Sequence, residues 1–320
     1  MKQVPLGRTG ITVSALCYGT MSFGGDADEA EAARLYGACR DAGIDFFDCA
    51  DVYNGGRAEE ILGRLVAHER DRIVLTSKCG MKSAIGNGLS RRHILNSVEA
   101  SLKRLATDRL DVLFLHRFDD DAPLEETLRT LEDLVRAGKV LYLGVSNFAA
   151  WQIATALGVQ ARHAWSRIDL VQPMYNLVKR QAEVELLPLA RAEGLAVTPY
   201  GPNAGGLLTG KYRGNATPEG ARLSARADYA KRYRLDWYHE TAAAFTEFAD
   251  ARGIHPVSLA VAWTAHHPAV TCPIVGARSV EQLRASLDSV TVEMTDTLWA
   301  EIAALSRTPP PATDRLEETA

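Results

Sequence analysis

Four residues with the makings of acid–base chemistry each follow a short apolar run. Asp48 and Tyr53 lie in "FFDCADVYNG" (46–55), Lys78 closes "RIVLTSK" and His116 closes "DVLFLHR". A phenol with an ordinary pKa of about 10 is a poor proton donor near neutrality. An adjacent ammonium favours the phenolate and lowers that value. Closing a gap of roughly three units corresponds to about 4 kcal/mol of differential stabilisation. A buried lysine needs a counter-charge, which Asp48 can supply. A histidine opposite can donate to a carbonyl oxygen and position it. Such a set protonates an oxygen as negative charge develops there. It contains no carbon nucleophile and no electron source, so a hydride must come from a cofactor. Taken singly, each residue has a plainer role open to it. Lys78 can be a solvated strand flank, His116 a hydrogen-bonded core histidine and Asp48 a tie for a loop. Asn147 can cap a helix beginning near Phe148.

These side chains converge only if their strands share one end. Apolar runs recur at 14–20, 45–50, 72–78, 111–117, 140–146, 169–175, 195–201 and 270–276. They are near-continuous, as buried parallel strands are. Between them lie helical patterns with recognisable ends. Gly43 stops the first, Ser90 caps the second, and Pro123 and Gly138 bracket the third; 180–194 and 279–290 have the same pattern. Eight βα units in this length predict a (β/α)8 TIM barrel, whose chemistry sits at the C-terminal ends of the strands. A doubly wound sheet is the alternative, but no strand leads into G-x-G-x-x-G. "VPLGRTGITVS" predicts an N-terminal β-hairpin cap turning at Arg8–Gly10. A long loop after strand seven, 203–237, has no clean period. One domain over 1–307 and a loose C-terminal tail over 308–320 are expected.

The composition fits such a domain: 320 residues, 47% hydrophobic, 24% charged, formal net charge −4. No run of like charge predicts a nucleic-acid or membrane partner. Five scattered cysteines without C-x-x-C spacing fit reduced thiols, and no leader-like apolar segment opens the chain. A soluble, cytoplasmic protein is the expectation; oligomeric state is not indicated.

Seven segments in order resemble the aldo-keto reductases: "GIDFFDCADVYNGGRAEEILG", "LTSKCG", "LFLHRFD", "GKVLYLGVSNF", "VQPMYN", "PYGPNAGGLLTGKY" and "PIVGARSVEQL". The similarity spans about residues 2 to 306. It implies a barrel that reduces carbonyl compounds with NADPH, and a small-molecule carbonyl substrate as partner. By motif, Tyr53 is the implied proton donor, Lys78 and Asp48 tune it, and His116 orients the carbonyl. Asp48, Ser146, Asn147 and Gln172 would hold the nicotinamide end, with Tyr200 stacked on the ring and Thr20 and Met21 lining it. Gly201, Pro202, Asn203 and the segment on to Lys211 would wrap the pyrophosphate. Gly276, Arg278, Gln282 and Ser286 would reach the adenosine end. Backbone N–H groups of Gly201, Gly205, Gly206 and Gly210, with Lys211, suit phosphate oxygens. Arg278 at a helix N-terminus suits a 2′-phosphate, which favours NADPH over NADH.

Two departures stand out. Gly201-Pro202-Asn203 replaces the family's frequent Ser-Pro-Leu, and Arg284-Ala285-Ser286 replaces Glu-Glu-Asn. Hydrogen bonds of about 1 kcal/mol each are lost there. The family also contains potassium-channel β-subunits, so a nucleotide-binding regulatory module is the alternative. Those usually carry Asn where this chain has His116. A glycosidase pair of Asp48 and Asp51 is a third reading, but carboxylates three apart on one strand end do not flank a bond. Phe23, Tyr53, Met81, Phe118, Tyr175 and parts of 212–237 are expected to line the mouth, suiting a bulky, partly polar carbonyl compound.

Overall fold

A computed structural model describes residues 1–213, 216 and 218–313. A hairpin of β1 (Gln3–Pro5) and β2 (Thr12–Ser14) precedes eight parallel strands. These are β3 (Cys17–Gly19), β4 (Phe46–Asp48), β5 (Val74–Cys79), β6 (Leu110–Leu115), β7 (Val140–Ser146), β8 (Ile168–Gln172), β9 (Ala196–Val197) and β10 (Ile274–Val275). Their spatial order is β10-β3-β4-β5-β6-β7-β8-β9. The ring closes where the Ile274 amide donates to the Pro199 carbonyl (2.9 Å) and Tyr200 bridges Ile274. The fold is a (β/α)8 barrel.

Strand period two sorts the side chains. Phe46, Val112, Phe114, Leu170, Ala196, Cys272 and Ile274 fill the inside, with Leu6 and Val13 of the hairpin packed against them. The intervening positions, such as Leu75, Leu113 and Val145, face the surrounding helices. Gly144 leaves the room that the Phe114 ring occupies, since a Cβ there would lie 2.4 Å from it. Two residues beyond the apolar layer, the same inward alternation brings Asp48, Thr76 and Lys78, His116, Ser146, and Gln172. The register supports this: Asp48 pairs with Thr76, Lys78 with Phe114 and Ser146 with Gln172.

Helix starts follow local chemistry. Asp28, Ser90, Ser279 and Thr295 each accept a hydrogen bond from the backbone N–H three residues on. The single helix expected over 180–194 is instead a 3₁₀ turn, Gln181–Glu183, and a helix Leu186–Glu193. Pro188 explains the break: its missing N–H is harmless only in a first turn. The stretch 203–237 holds more structure than its aperiodic sequence suggests. It contains a 3₁₀ segment Ala204–Thr209, short helices Arg222–Ala225 and Ala227–Arg232, and the start of the helix Asp236–Ala251. Residues 314–320 of the expected tail lie outside the described residues. Among the described residues no helix is long and apolar enough to cross a membrane. All five cysteines are free and buried.

Candidate active site

The ends of β4, β5 and β6 bring the acid–base residues together. Lys78 Nζ lies 2.6 Å from Asp48 Oδ2, 2.8 Å from the Cys49 carbonyl and 3.2 Å from the Tyr53 hydroxyl. The ammonium is fully buried. Asp48 spends its other oxygen on Thr76 Oγ1 (3.1 Å) and Gln172 Nε2 (2.9 Å). The carboxylate is thus matched by donors on both sides, as a buried charge must be. Burial works against the Lys78 ammonium, yet Asp48 and the Tyr53 oxygen outweigh it and hold its pKa above that of an ordinary lysine.

Tyr53 is carried by a tight turn at Tyr53–Gly56, where Asn54, Gly55 and Gly56 have positive φ. Asn54 secures that turn by donating to the carbonyls of Met21 and Phe23. The phenol does not move toward neutrality as the lysine alone would suggest. Burial raises its pKa to about 12, and the nearby ammonium offsets only part of that. Tyr53 is therefore fully protonated at neutral pH, the state a proton donor needs. The His116 ring stands edge-on to the Tyr53 ring at 6.0 Å. Burial, with Lys78 adding, pushes its pKa down to about 3. The imidazole is neutral, and its buried Nδ1 has no partner among the described residues. A neutral imidazole can donate one N–H to an oxygen placed between the two rings.

Asn147 does not cap a helix. The next helix begins at Ala150 with Ala149 as its N-cap. Asn147 instead sits at φ 57. Its Nδ2 donates to the His116 carbonyl (2.8 Å) and to Ser146 Oγ (3.1 Å), and its Oδ1 accepts from the Tyr200 hydroxyl (2.8 Å). Ser146 Oγ donates to the Gln172 carbonyl. Ser146, Asn147, Gln172 and Tyr200 thus form one connected patch beside the acid–base set. Thr20 is buried, with its hydroxyl bonded to the Asp48 carbonyl (3.0 Å), and Met21 follows it at the rim. Asp51 is apart from Asp48: both its oxygens are buried without a partner among the described residues, and burial and then Glu59 raise its pKa to about 7.

A second polar region lies along the segment after β9. Gly205 and Gly206 have positive φ inside a 3₁₀ turn, and open space faces Gly201. The Gly201 carbonyl is held by Asn176 Nδ2 (2.9 Å). Pro202 is buried and Asn203 Oδ1 is a buried acceptor without a partner among the described residues. Burial, and then Arg278 and Arg222, lower the Lys211 pKa. None of these three cations has a carboxylate within ion-pair distance among the described residues, although most of the chain's other arginines do. Gln282 Oε1 accepts from the Arg278 amide. Gly276 packs against the Gly19 carbonyl. Ser286 is only 2% exposed, so it offers little surface to a ligand. A dinucleotide phosphate fits this donor set of glycine backbone N–H groups and three cations in mutual repulsion; Asn203 Oδ1, an acceptor, offers it nothing.

The expected substrate lining needs correction at two residues. Phe23 packs under Tyr18, and Tyr175 lies against Trp263 with its hydroxyl on Glu183; both are wholly buried. Phe118 and Met81 remain at the mouth, and Trp151, absent from the expected lining, joins Phe118. Thr76 was also missed, although its place two residues before Lys78 puts it on the same strand face. Arg222 had no local signal in an aperiodic stretch.

Residues 15–307 match the aldo/keto reductase family. The chain is 38% identical over 309 residues to the uncharacterized oxidoreductase YrpG of Bacillus subtilis (strain 168), covering 92% of each chain. It is also 38% identical over 306 residues to a probable voltage-gated potassium channel subunit beta of Arabidopsis thaliana, covering 91% of this chain and 92% of that one. It is 31% identical over 331 residues to the versiconal hemiacetal acetate reductase of Aspergillus parasiticus, with 92% and 94% covered. The chain belongs to the aldo/keto reductase family.

Proposed function

We propose that this aldo/keto reductase reduces the carbonyl group of an aldehyde or ketone to an alcohol, with NADPH supplying the hydride when bound. The observation that carries the reading is the buried Asp48–Lys78–Tyr53 chain, 2.6 and 3.2 Å per link, facing a neutral His116. As negative charge grows on the carbonyl oxygen, the Tyr53 hydroxyl donates its proton to it. His116 donates a hydrogen bond to the same oxygen and fixes its position. Lys78 stabilises the phenolate left on Tyr53, and Asp48 keeps Lys78 charged. Donors placed in a dry site before the reaction act without reorganisation, which is why such a set is effective. Ser146, Asn147 and Gln172 would hold the carboxamide of the cofactor, with Tyr200 against the ring. Lys211, Arg222 and Arg278 favour NADPH, because the extra phosphate offers a counter-charge that NADH lacks.

A second reading, a nucleotide-binding regulatory module, is favoured by the similarity to proteins named as channel β-subunits. His116 argues for turnover. Both readings are separated by one pair of measurements: fluorescence titration with NADPH and NADH, and loss of NADPH absorbance with a panel of aldehydes and ketones. Preferential NADPH binding with turnover is expected. Tight binding without turnover of any carbonyl would establish the module instead, and absence of binding would sink both.

A further inference from the structure

We infer, resting on the carbonyl-reductase reading, that Glu59, Arg104 and Asp51 are positioning residues that hold the Tyr53 turn against the strand of Lys78, and that they do so only while the two carboxyls share a single negative charge. No side chain of the three bonds to Tyr53, Lys78 or His116 among the described residues; they act through Ser77 and through the backbone. Glu59 is the link between turn and strand. It stands in the first turn of the helix Arg57–Val66, which continues the Tyr53 turn. Its carboxylate is wholly buried, and accepts from Ser77 Oγ on one side and from Arg104 Nε (2.6 Å) on the other. Ser77 immediately precedes Lys78, so one carboxylate couples the helix after Tyr53 to the strand that carries its lysine. Arg104 reaches Glu59 from the end of the helix Arg91–Leu105, passing against Gly56 of the turn. A Cβ at Gly56 would lie 2.7 Å from Arg104 Cδ, and Gly56 has φ 94, so only glycine leaves this passage open. Asp51 enters from the other end of the turn, two residues before Tyr53. Its amide donates to the Lys78 carbonyl (3.1 Å), which continues the pairing of β4 with β5.

The charges of this cluster do not balance. Glu59 and Asp51 are both buried, and Arg104 is the guanidinium that faces them. Arg104 and Ser77 give their hydrogen bonds to Glu59, whereas both Asp51 oxygens lack a partner among the described residues. The other titratable groups facing Asp51 belong to β5. They are Lys78, whose ammonium is committed to Asp48, and Cys79, whose thiol burial keeps protonated. A buried carboxylate without donors pays the full cost of desolvation unless it takes a proton. Burial and then Glu59 accordingly bring the titration of Asp51 to about 7, within reach of small changes in pH. Once ionised, Asp51 competes with Glu59 for the one guanidinium. Drawing Arg104 away from Glu59 loosens the link to Ser77 and the turn that carries Tyr53. The Tyr53–Lys78 contact, 3.2 Å with the turn in place, then lengthens. Misplacement on the scale of an ångström at a reacting group costs rate.

The test follows kcat against pH for 4-nitrobenzaldehyde at saturating NADPH. In parallel it follows the Tyr53 ring by NMR in protein labelled with 13Cζ-tyrosine, the signal being assigned with Tyr53→Phe. In the wild type, kcat should fall about tenfold as pH rises through about 7 while KM for the aldehyde changes little, and the Tyr53 signal should shift over the same interval. Asp51→Asn should abolish both transitions. Glu59→Gln keeps the shape of the site, removes the like charge and frees Arg104 for Asp51, so both transitions should move lower by about one pH unit or more. Asp51→Asn, which exchanges an unbonded carboxyl for an amide of the same shape, decides the matter if Glu59→Gln fails to fold. Transitions retained in Asp51→Asn, or unmoved in a folded Glu59→Gln, would overturn the inference. So would a wild type whose kcat and Tyr53 signal are both flat across this range. Wild-type protein whose Tyr53 signal titrates through Asp51, but which turns over no carbonyl compound, would fail the reductase reading and leave the coupling of the cluster to the turn standing.

Discussion

Two regions of the barrel mouth treat charge in opposite ways. At the ends of β4 and β5, Lys78 has Asp48, Asp48 has Thr76 and Gln172, and every link lies within the protein. On the segments after β9 and β10, Lys211, Arg222 and Arg278 crowd one another without a carboxylate among the described residues. The first region is complete as folded; on the proposed reading, the second is completed by an anion from outside. A catalytic acid has to be in place before its substrate arrives, since reorganisation would add to the barrier. A binding site instead gains affinity by leaving strain for its ligand to relieve.

The contrast can be broken most severely at Tyr53. Tyr53→Phe removes the proton donor and keeps the ring, so kcat should fall about 10²- to 10⁴-fold. NADPH affinity, read by fluorescence titration, should hardly change. Full turnover by this variant would refute the mechanism. Next in size is Lys78→Met, which leaves the Asp48 charge buried and unpaired. A loss of about 3–5 kcal/mol is expected, a fall in Tm on the order of 10 °C by scanning calorimetry. Adding Asp48→Asn should restore part of it. A single variant as stable as the wild type would mean that the pair is not a closed unit.

The second region should behave in reverse. Arg278→Ala is expected to weaken NADPH binding about tenfold to a hundredfold, the worth of hydrogen bonds to a charged group, and to leave NADH binding nearly unchanged. Its ligand-free Tm should hold or rise, because repulsion is relieved. A lowered ligand-free Tm would show that Arg278 is structural.

A last test concerns Asp51, the buried carboxyl outside both networks. Its folded pKa of about 7 lies above the unfolded value of about 3.9. Its contribution is therefore full below about pH 4 and is lost as pH rises through 7. His116 runs the other way: with a folded value of about 3 and an unfolded one of about 6.5, it favours folding increasingly as pH rises between them. Asp51→Asn should thus gain stability over wild type at pH 8 and none at pH 4, about 2–4 °C in Tm for each kcal/mol. An equal Tm difference at both values would place the ionised form in the folded protein.

The amino-acid sequence by itself determined the barrel, its strand ends and its helix caps. Those signals are local: apolar runs of strand length, and Ser90, Ser279 or Gly43 at helix boundaries. It also determined that Asp48, Tyr53, Lys78 and His116 stand at strand ends. Thr76 was legible too, because period two places it on the face of Lys78. Only the tertiary structure decided the rest. Asn147 has the composition of a cap, and its actual bonds run to His116 and Tyr200, residues 31 and 53 positions away. Phe23 and Tyr175 lie in polar, turn-rich surroundings, yet packing against Tyr18 and Trp263 takes them out of the mouth. The Tyr53 pKa depends on how much water the closed barrel excludes. That depends on all the strands together, whereas the lysine beside it is a property of one. Residues that act through sequence neighbours can be found from the chain alone; residues that act through the low dielectric and the crossing loops of the mouth exist as a site only once the ring is closed.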